Sequence, residues 1–243
     1  MTEPDVTLTD YALALECILF AALIYCYGDP KTSLRPRFVL FFASIGLAAL
    51  AGGTVHGFFP DPATSGYRIL WTATLIAAGL AAFATWALAA RLWLSEKTER
   101  RLVTLALIQF LAYGVTVLFF SQEFWIVLAN YLPPTLFLLI VFCELQRHMR
   151  IHELRSGTIG LVLTFVAAAV QHGRIAVDPV YFNHNSLYHV IQAIALFLIF
   201  RSARWLVKKR RVPSHRGVDN PSAGVLGSAG GDELGCGKIG VME

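Results

Sequence analysis

The chain has 243 residues, of which 56% are hydrophobic and only 15% charged, with a mean hydropathy of +0.59. Soluble domains carry about 25% charged and about 45–50% apolar residues, so the composition excludes an ordinary soluble domain and points to lipid. The net charge of +4 gains meaning only once the charges are placed, and Cys17, Cys26, Cys143 and Cys236 are too scattered for a disulfide framework.

A helix needs about 20 mostly apolar residues to cross a bilayer core. Seven stretches meet that measure in chain order. The first, at 8–27, follows an acidic start, Met1-Thr2-Glu3-Pro4-Asp5. A cleaved signal peptide begins with basic residues, so this segment is read as a membrane helix. After the breaker Gly28-Asp29-Pro30 comes the second span, at 38–59, which ends in Gly52-Gly53-Thr54-Val55-His56-Gly57. Its small residues suit close helix approach. Pro60-Asp61-Pro62 separates it from the third span, at 69–94, and the fourth follows at 102–120. The fifth, at 124–145, holds Pro133-Pro134, which predicts a kink. The sixth is the shortest, at 158–171 with a continuation toward Ile175, and the seventh lies at 188–206 beyond Asp178-Pro179. The remainder, 212–243, is rich in Gly, Ser and charge and is expected to be a disordered cytoplasmic tail. No internal repeat or second folded domain is visible, so residues 1–211 form one transmembrane domain.

Eighteen of the 20 Lys and Arg residues fall in the odd-numbered loops or the tail; Arg68 and Arg174 alone lie in the even loops. Cationic loops stay cytoplasmic. The expected fold is therefore all-α: a polytopic seven-helix bundle of the cell membrane, N-terminus out and C-terminus in. The basic balance reflects topology and calls for no nucleic-acid partner. Lys208-Lys209-Arg210-Arg211 marks the cytoplasmic surface, where anionic lipid heads lie.

Ionisable groups within spans are candidates for function. His56 lies about 5 Å below the outer end of the second span and His189 about 6 Å below the start of the seventh, at 1.5 Å per residue. His172 ends the sixth span and His184 precedes the seventh, so four of the seven histidines share one outer slab. Asp10 joins them at the mouth of the first span, with Glu16 roughly two turns deeper. Asn185, His189 and Gln192 are spaced i, i+4, i+7, a polar stripe expected to face the bundle interior. His184 and His189 lie about 140° apart around a helix, so they could share an ion only if His184 stands outside the first turn. Asn183, Asn185 or Ser186 would cap that turn. Imidazole suits zinc, and three protein ligands with a water make a catalytic site. His56 and His189 with His184 or His172 would supply the ligands, and Asp10 or Glu16 would orient one of them or act as base. The motif Glu144-x3-His148-x3-His152 has ligand spacing too, but it sits among Arg147, Arg150 and Arg155 and reads as a solvated helix end.

Seven spans with one histidine near the end of the second and more at the head of the seventh resemble the membrane hydrolase superfamily of alkaline ceramidases and adiponectin-receptor-like proteins. The resemblance implies a zinc ion held by His56 and by a seventh-span His-x3-His pair that includes His189, and hydrolysis of lipid amides. The other member of that pair falls on Asn185, with His184 displaced by one residue. The family's serine four residues before the first histidine falls on Gly52, and its third-span aspartate has no counterpart, Asp61 lying in a loop. Three functions stay open: a zinc-dependent hydrolase of lipid amides or esters, a receptor, sensor or small-solute carrier using the same pocket without chemistry, and a b-type haem protein with His56 and His189 as axial ligands. The partners expected are membrane lipids, including a lipid substrate in the first case. A retinal Schiff base is excluded, because Lys31, Lys97, Lys208, Lys209 and Lys238 all lie outside the spans.

Overall fold

The computed structural model describes residues 2–178 and 181–208. The expected disordered tail and most of the Lys208–Arg211 cluster lie outside the described residues. Seven helices follow one another: α1 (Pro4–Tyr27), α2 (Leu34–Phe58), α3 (Ser65–Trp93), α4 (Glu96–Phe119), α5 (Phe124–Met149), α6 (Leu154–His172) and α7 (His184–Lys208). All seven, from 19 to 29 residues long, are long and apolar enough to cross a membrane. The chain is an integral membrane protein with an all-helical bundle.

Most helices run past the apolar stretch that announces them, because polar turns complete their ends. Pro4 opens α1, where its missing N–H costs nothing. Thr64 accepts from the Tyr67 N–H to cap α3, and the Asn183 side chain accepts from the N–H groups of Asn185 and Ser186 to cap α7. Of the three capping candidates, Asn183 takes the role. The sixth helix, short by hydropathy, gains a first turn from Leu154 onward. There the Ser202 hydroxyl of α7 donates to the Glu153 carbonyl and accepts from the Gly157 N–H.

Six helices close a ring in the order α1, α2, α3, α5, α6, α7, with α7 back against α1, while α4 packs outside the ring on α3. Small residues set the closest approaches. A Cβ on Gly160 would lie 2.5 Å from the Ala195 carbonyl oxygen, so α6 and α7 meet nearly backbone to backbone. Large apolar side chains such as Leu15, Leu19, Leu105, Ile108 and Leu111 stand exposed on the outside, as a lipid-facing surface requires.

Call the end where α1, α3, α5 and α7 begin the N-terminal end. The half of the ring toward the opposite end is solid. Phe20 of α1 stacks on Phe200 of α7 at 4.0 Å and meets Phe42 of α2 edge-on at 5.5 Å. Leu88, Leu138, Phe142, Leu154 and Leu196 complete that core. Beyond it, the buried Glu99 of α4 binds Arg37 of α2 at 2.6 Å and Arg91 of α3 at 3.2 Å, while Arg91 also donates to the Ser33 hydroxyl. The N-terminal half is hollow.

Candidate functional site

A cavity of about 380 Å³ occupies the interior of the ring toward the N-terminal end, with all six ring helices in its wall. Ligand pockets in proteins begin at about 300 Å³. Its two sides differ in chemistry. Ala48 and Ala49 of α2, Leu75, Ala78 and Ala81 of α3, and Leu128 and Leu132 of α5 make one side largely apolar. Asp10 of α1, Gln171 of α6, and Asn185, Tyr188, His189 and Gln192 of α7 make the other side polar. The stripe Asn185, His189 and Gln192 thus faces the interior along one helical face.

Both cavity histidines pair with a carboxylate from the N-terminal segment, His189 with Asp10 of α1 and His56 with Glu3 just before it. His189 places Nε2 3.1 Å from Asp10 Oδ1 and Nδ1 3.2 Å from the Thr9 hydroxyl. Both ring nitrogens are engaged, Nε2 with Asp10 and Nδ1 with Thr9, whose hydroxyl also lies 2.9 Å from the Asp5 and Val6 carbonyls. Asp10 and His189 are only 4% and 9% exposed. His56 of α2 binds Glu3 through Nδ1 at 2.8 Å, closer to the N-terminal end and half-buried. This arrangement depends on α1 lying tight against α2. A Cβ on Gly53 would stand 2.7 Å from the Asp10 Cβ, so glycine there is what lets the two backbones approach.

The head of α7 is tied to α1 and α6 as well. Asp5 accepts from the Ser186 hydroxyl at 2.8 Å and from the Asn183 N–H, which puts a carboxylate at a helix N-terminus. The Gln171 amide donates to the Asn185 side-chain oxygen at 2.6 Å. Asn185 therefore bonds to a neighbouring side chain.

The remaining expected site residues lie elsewhere. His184 is the first residue of α7 and is half-buried, but the cavity wall excludes it. Asn183 caps the helix, so His184 already stands within the first turn, far around the helix from His189. His172 is the exposed last residue of α6 and also lies outside the wall. Glu16 is half-buried on α1 about two turns below Asp10; its Oε2 is buried with no hydrogen-bond partner among the described residues. On the opposite end, Glu144 and His148 pair with one another at 2.9 Å, as a solvated helix end would.

These positions decide how well zinc or haem fits. Among the described residues no three His, Cys, Asp or Glu side chains are grouped to hold a metal. His56 keeps Nε2 available, and its Glu3 contact resembles the carboxylate that commonly orients a metal-bound imidazole. His189 has no free nitrogen, so the donors present fit neither a three-histidine zinc centre nor a pair of axial haem ligands.

Sequence reasoning passed over Glu3, Asp5, Thr9 and Gln171. Glu3 and Asp10 are seven residues apart, and Asp5 and Thr9 four, which are same-face spacings on a helix. That pattern is the signal that polar residues at the head of an apolar span meet neighbouring helices, Glu3 reaching His56 of α2 and Asp5, Thr9 and Asp10 reaching α7. No curated protein and no solved structure is similar to the chain at a significant level. A family model matches residues 6–208, nearly the whole seven-helix unit, and the chain accordingly belongs to DUF6962, a family of unknown function.

Proposed function

We propose that this protein is a receptor, sensor or small-solute carrier of the cell membrane, oriented with its N-terminus outside and its C-terminus inside, that holds a small and largely apolar molecule within its outer half. The observation that carries the proposal is the cavity, with an apolar wall from α2, α3 and α5 facing a polar wall from α1, α6 and α7. Such a chamber matches an amphipathic guest, whose body is driven in by the hydrophobic effect and whose head is oriented by a few polar groups. The cationic asymmetry of the loops supports the orientation. Zinc-dependent hydrolysis of a lipid amide, the reading implied by the resemblance, calls for three convergent protein ligands. The engaged nitrogens of His189 favour binding without chemistry.

The test is occupancy of the cavity. Ala78 lines the apolar wall at mid-depth, and Ala78→Trp fills that space. In lipid nanodiscs, radiolabelled decanol is expected to bind the wild type saturably at about one per chain, after subtraction of protein-free discs. A78W is expected to lose that binding. Equal binding by both proteins would place the guest elsewhere and sink the proposal.

A further inference from the structure

The chemistry of one spot in the cavity narrows the guest. Asp10 is 4% exposed and lines the wall; its Oδ1 is taken by His189, while Oδ2 has no hydrogen-bond partner among the described residues. Gly52 of α2, which has no side chain, and Thr74 of α3 line the cavity beside it. A Cβ at Gly52 would be in ordinary contact with Asp10 Oδ2 and the Thr74 methyl at 3.6 Å and with Thr74 Oγ1 at 3.8 Å, so the two oxygens stand close together at the wall. The Thr74 hydroxyl spends its proton on the Leu70 carbonyl at 2.9 Å, so toward the cavity it offers lone pairs. A carboxylate oxygen open to the cavity and a hydroxyl lone pair close together on its wall suit a donor that carries positive charge. Hydrogen bonds between an ammonium and a carboxylate are about twice as strong as neutral ones.

We infer that the cavity selects an amphipathic amine, its ammonium head seated beside Gly52 between Asp10 and Thr74 and its apolar body against the wall of α3 and α5. The inference rests on the binding reading above and names the class of guest. The contacts run in a single line. The Thr9 hydroxyl, whose proton is also within reach of the Asp5 and Val6 carbonyls, lies 3.2 Å from His189 Nδ1, His189 Nε2 lies 3.1 Å from Asp10 Oδ1, and Asp10 Oδ2 is left for the guest. The approach is charged to match. Among the described residues, the N-terminal end carries Glu3, Asp5, Asp10, Asp61, Glu123 and Asp178 against Arg68 and Arg174. A negative mouth raises the local concentration of cations. A fatty acid would meet repulsion at Asp10, and an alcohol would leave that charge uncompensated.

The test compares decylamine, decanol and decanoate, equal in apolar length, for saturable binding to the full chain in nanodiscs. The wild type is expected to bind decylamine at least about tenfold more tightly than decanol, since truncating one side of a desolvated charge pair commonly costs more than that. Asp10→Asn is expected to erase the preference, bringing decylamine down to the affinity of decanol, with an unchanged thermal-unfolding midpoint reporting that the bundle is intact. Thr74→Val, isosteric and uncharged, is expected to lower decylamine affinity several-fold and so to narrow its lead over decanol. Saturable decanol binding with no preference for the amine, or an amine preference that survives D10N, overturns the inference and leaves the binding reading standing. A wild type that binds none of the three removes both.

Discussion

Asp5 joins α1 to the head of α7 through one carboxylate, accepting from the Ser186 hydroxyl and from the Asn183 N–H. Removing both acceptors in Asp5→Ala is expected to cost about 1–2 kcal/mol, the scale of a lost helix cap, and to lower the thermal midpoint by a few degrees. Asp5→Asn retains an acceptor oxygen and loses only the charge, so its loss should be less than half as large; equal losses would show that the charge, and not the hydrogen bonds, holds the junction. Neighbouring glycines of α2 make a sharper contrast. A Cβ on Gly53 would stand 2.7 Å from the Asp10 Cβ, an atom fixed to the α1 backbone, whereas a Cβ on Gly52 would find ordinary contact distances of 3.6 Å and beyond. Alanine is worth about 1 kcal/mol more than glycine within a helix. Gly52→Ala is therefore expected to leave stability unchanged or raised, and Gly53→Ala to lower it by about 1–3 kcal/mol, the range for overpacking. A thermal-unfolding series on the two variants checks this, and a G53A protein as stable as G52A would mean that α1 slides freely on α2.

At the scale of elements, α5 continues through Pro133 and Pro134, the pair that predicts a kink. Proline at 134 supplies no N–H to the carbonyl of Asn130, and Gln109 of α4 fills the vacancy by donating to that carbonyl at 3.3 Å and to the Asn130 side-chain oxygen at 2.8 Å. Neighbouring helices commonly satisfy carbonyls freed in this way within membranes. The Gln109 oxygen in turn accepts from Trp86 Nε1 of α3 at 3.1 Å, so one amide joins three helices. Gln109→Leu is expected to destabilise by about 1–3 kcal/mol, the cost of leaving buried polar groups unpaired. In a Pro134→Ala background the backbone supplies its own donor, and the same substitution should cost measurably less; an identical cost in both backgrounds would remove proline from the explanation. The elements themselves were legible because an apolar run of span length has few alternatives in lipid. Their ends were not, since Leu154, Glu96 and Pro4 begin helices on polar or charged turns that hydropathy alone leaves out. The site was half legible. His56, His189, Asp10 and the stripe through Asn185 and Gln192 reach the cavity, while Glu3, Asp5 and Thr9 were hidden because a polar chain start reads as solvent-exposed. The exclusion of His172 and His184 depends on where α6 stops and on which asparagine caps α7, and both are settled by packing.

At the scale of the whole molecule, the two ends of the bundle differ in construction as well as charge. One end is hollow and acidic, with Glu3 and Asp10 set against histidines; the other is a phenylalanine core sealed by Glu99 between Arg37 and Arg91. Orientation therefore decides which compartment the cavity serves. In the orientation proposed above, which rests on eighteen cationic residues in the odd loops and tail against two in the even loops, the solid end lies in the cytoplasm and the cavity toward the outside. Ser65 opens α3 at the hollow end, Lys97 lies in the first turn of α4 at the solid end, and both are exposed. Single cysteines at these positions, in a background where the four natural cysteines are replaced by serine, separate the alternatives. A membrane-impermeant thiol reagent applied to intact cells is expected to label S65C and to spare K97C until the membrane is permeabilised. Labelling of K97C alone would invert the molecule, turn the cavity toward the cytoplasm and make its guest an intracellular one. The cavity and its chemistry would stand in that case, because the seating of the guest between Asp10 and Thr74 depends on the ring of helices and not on which side of the membrane it opens.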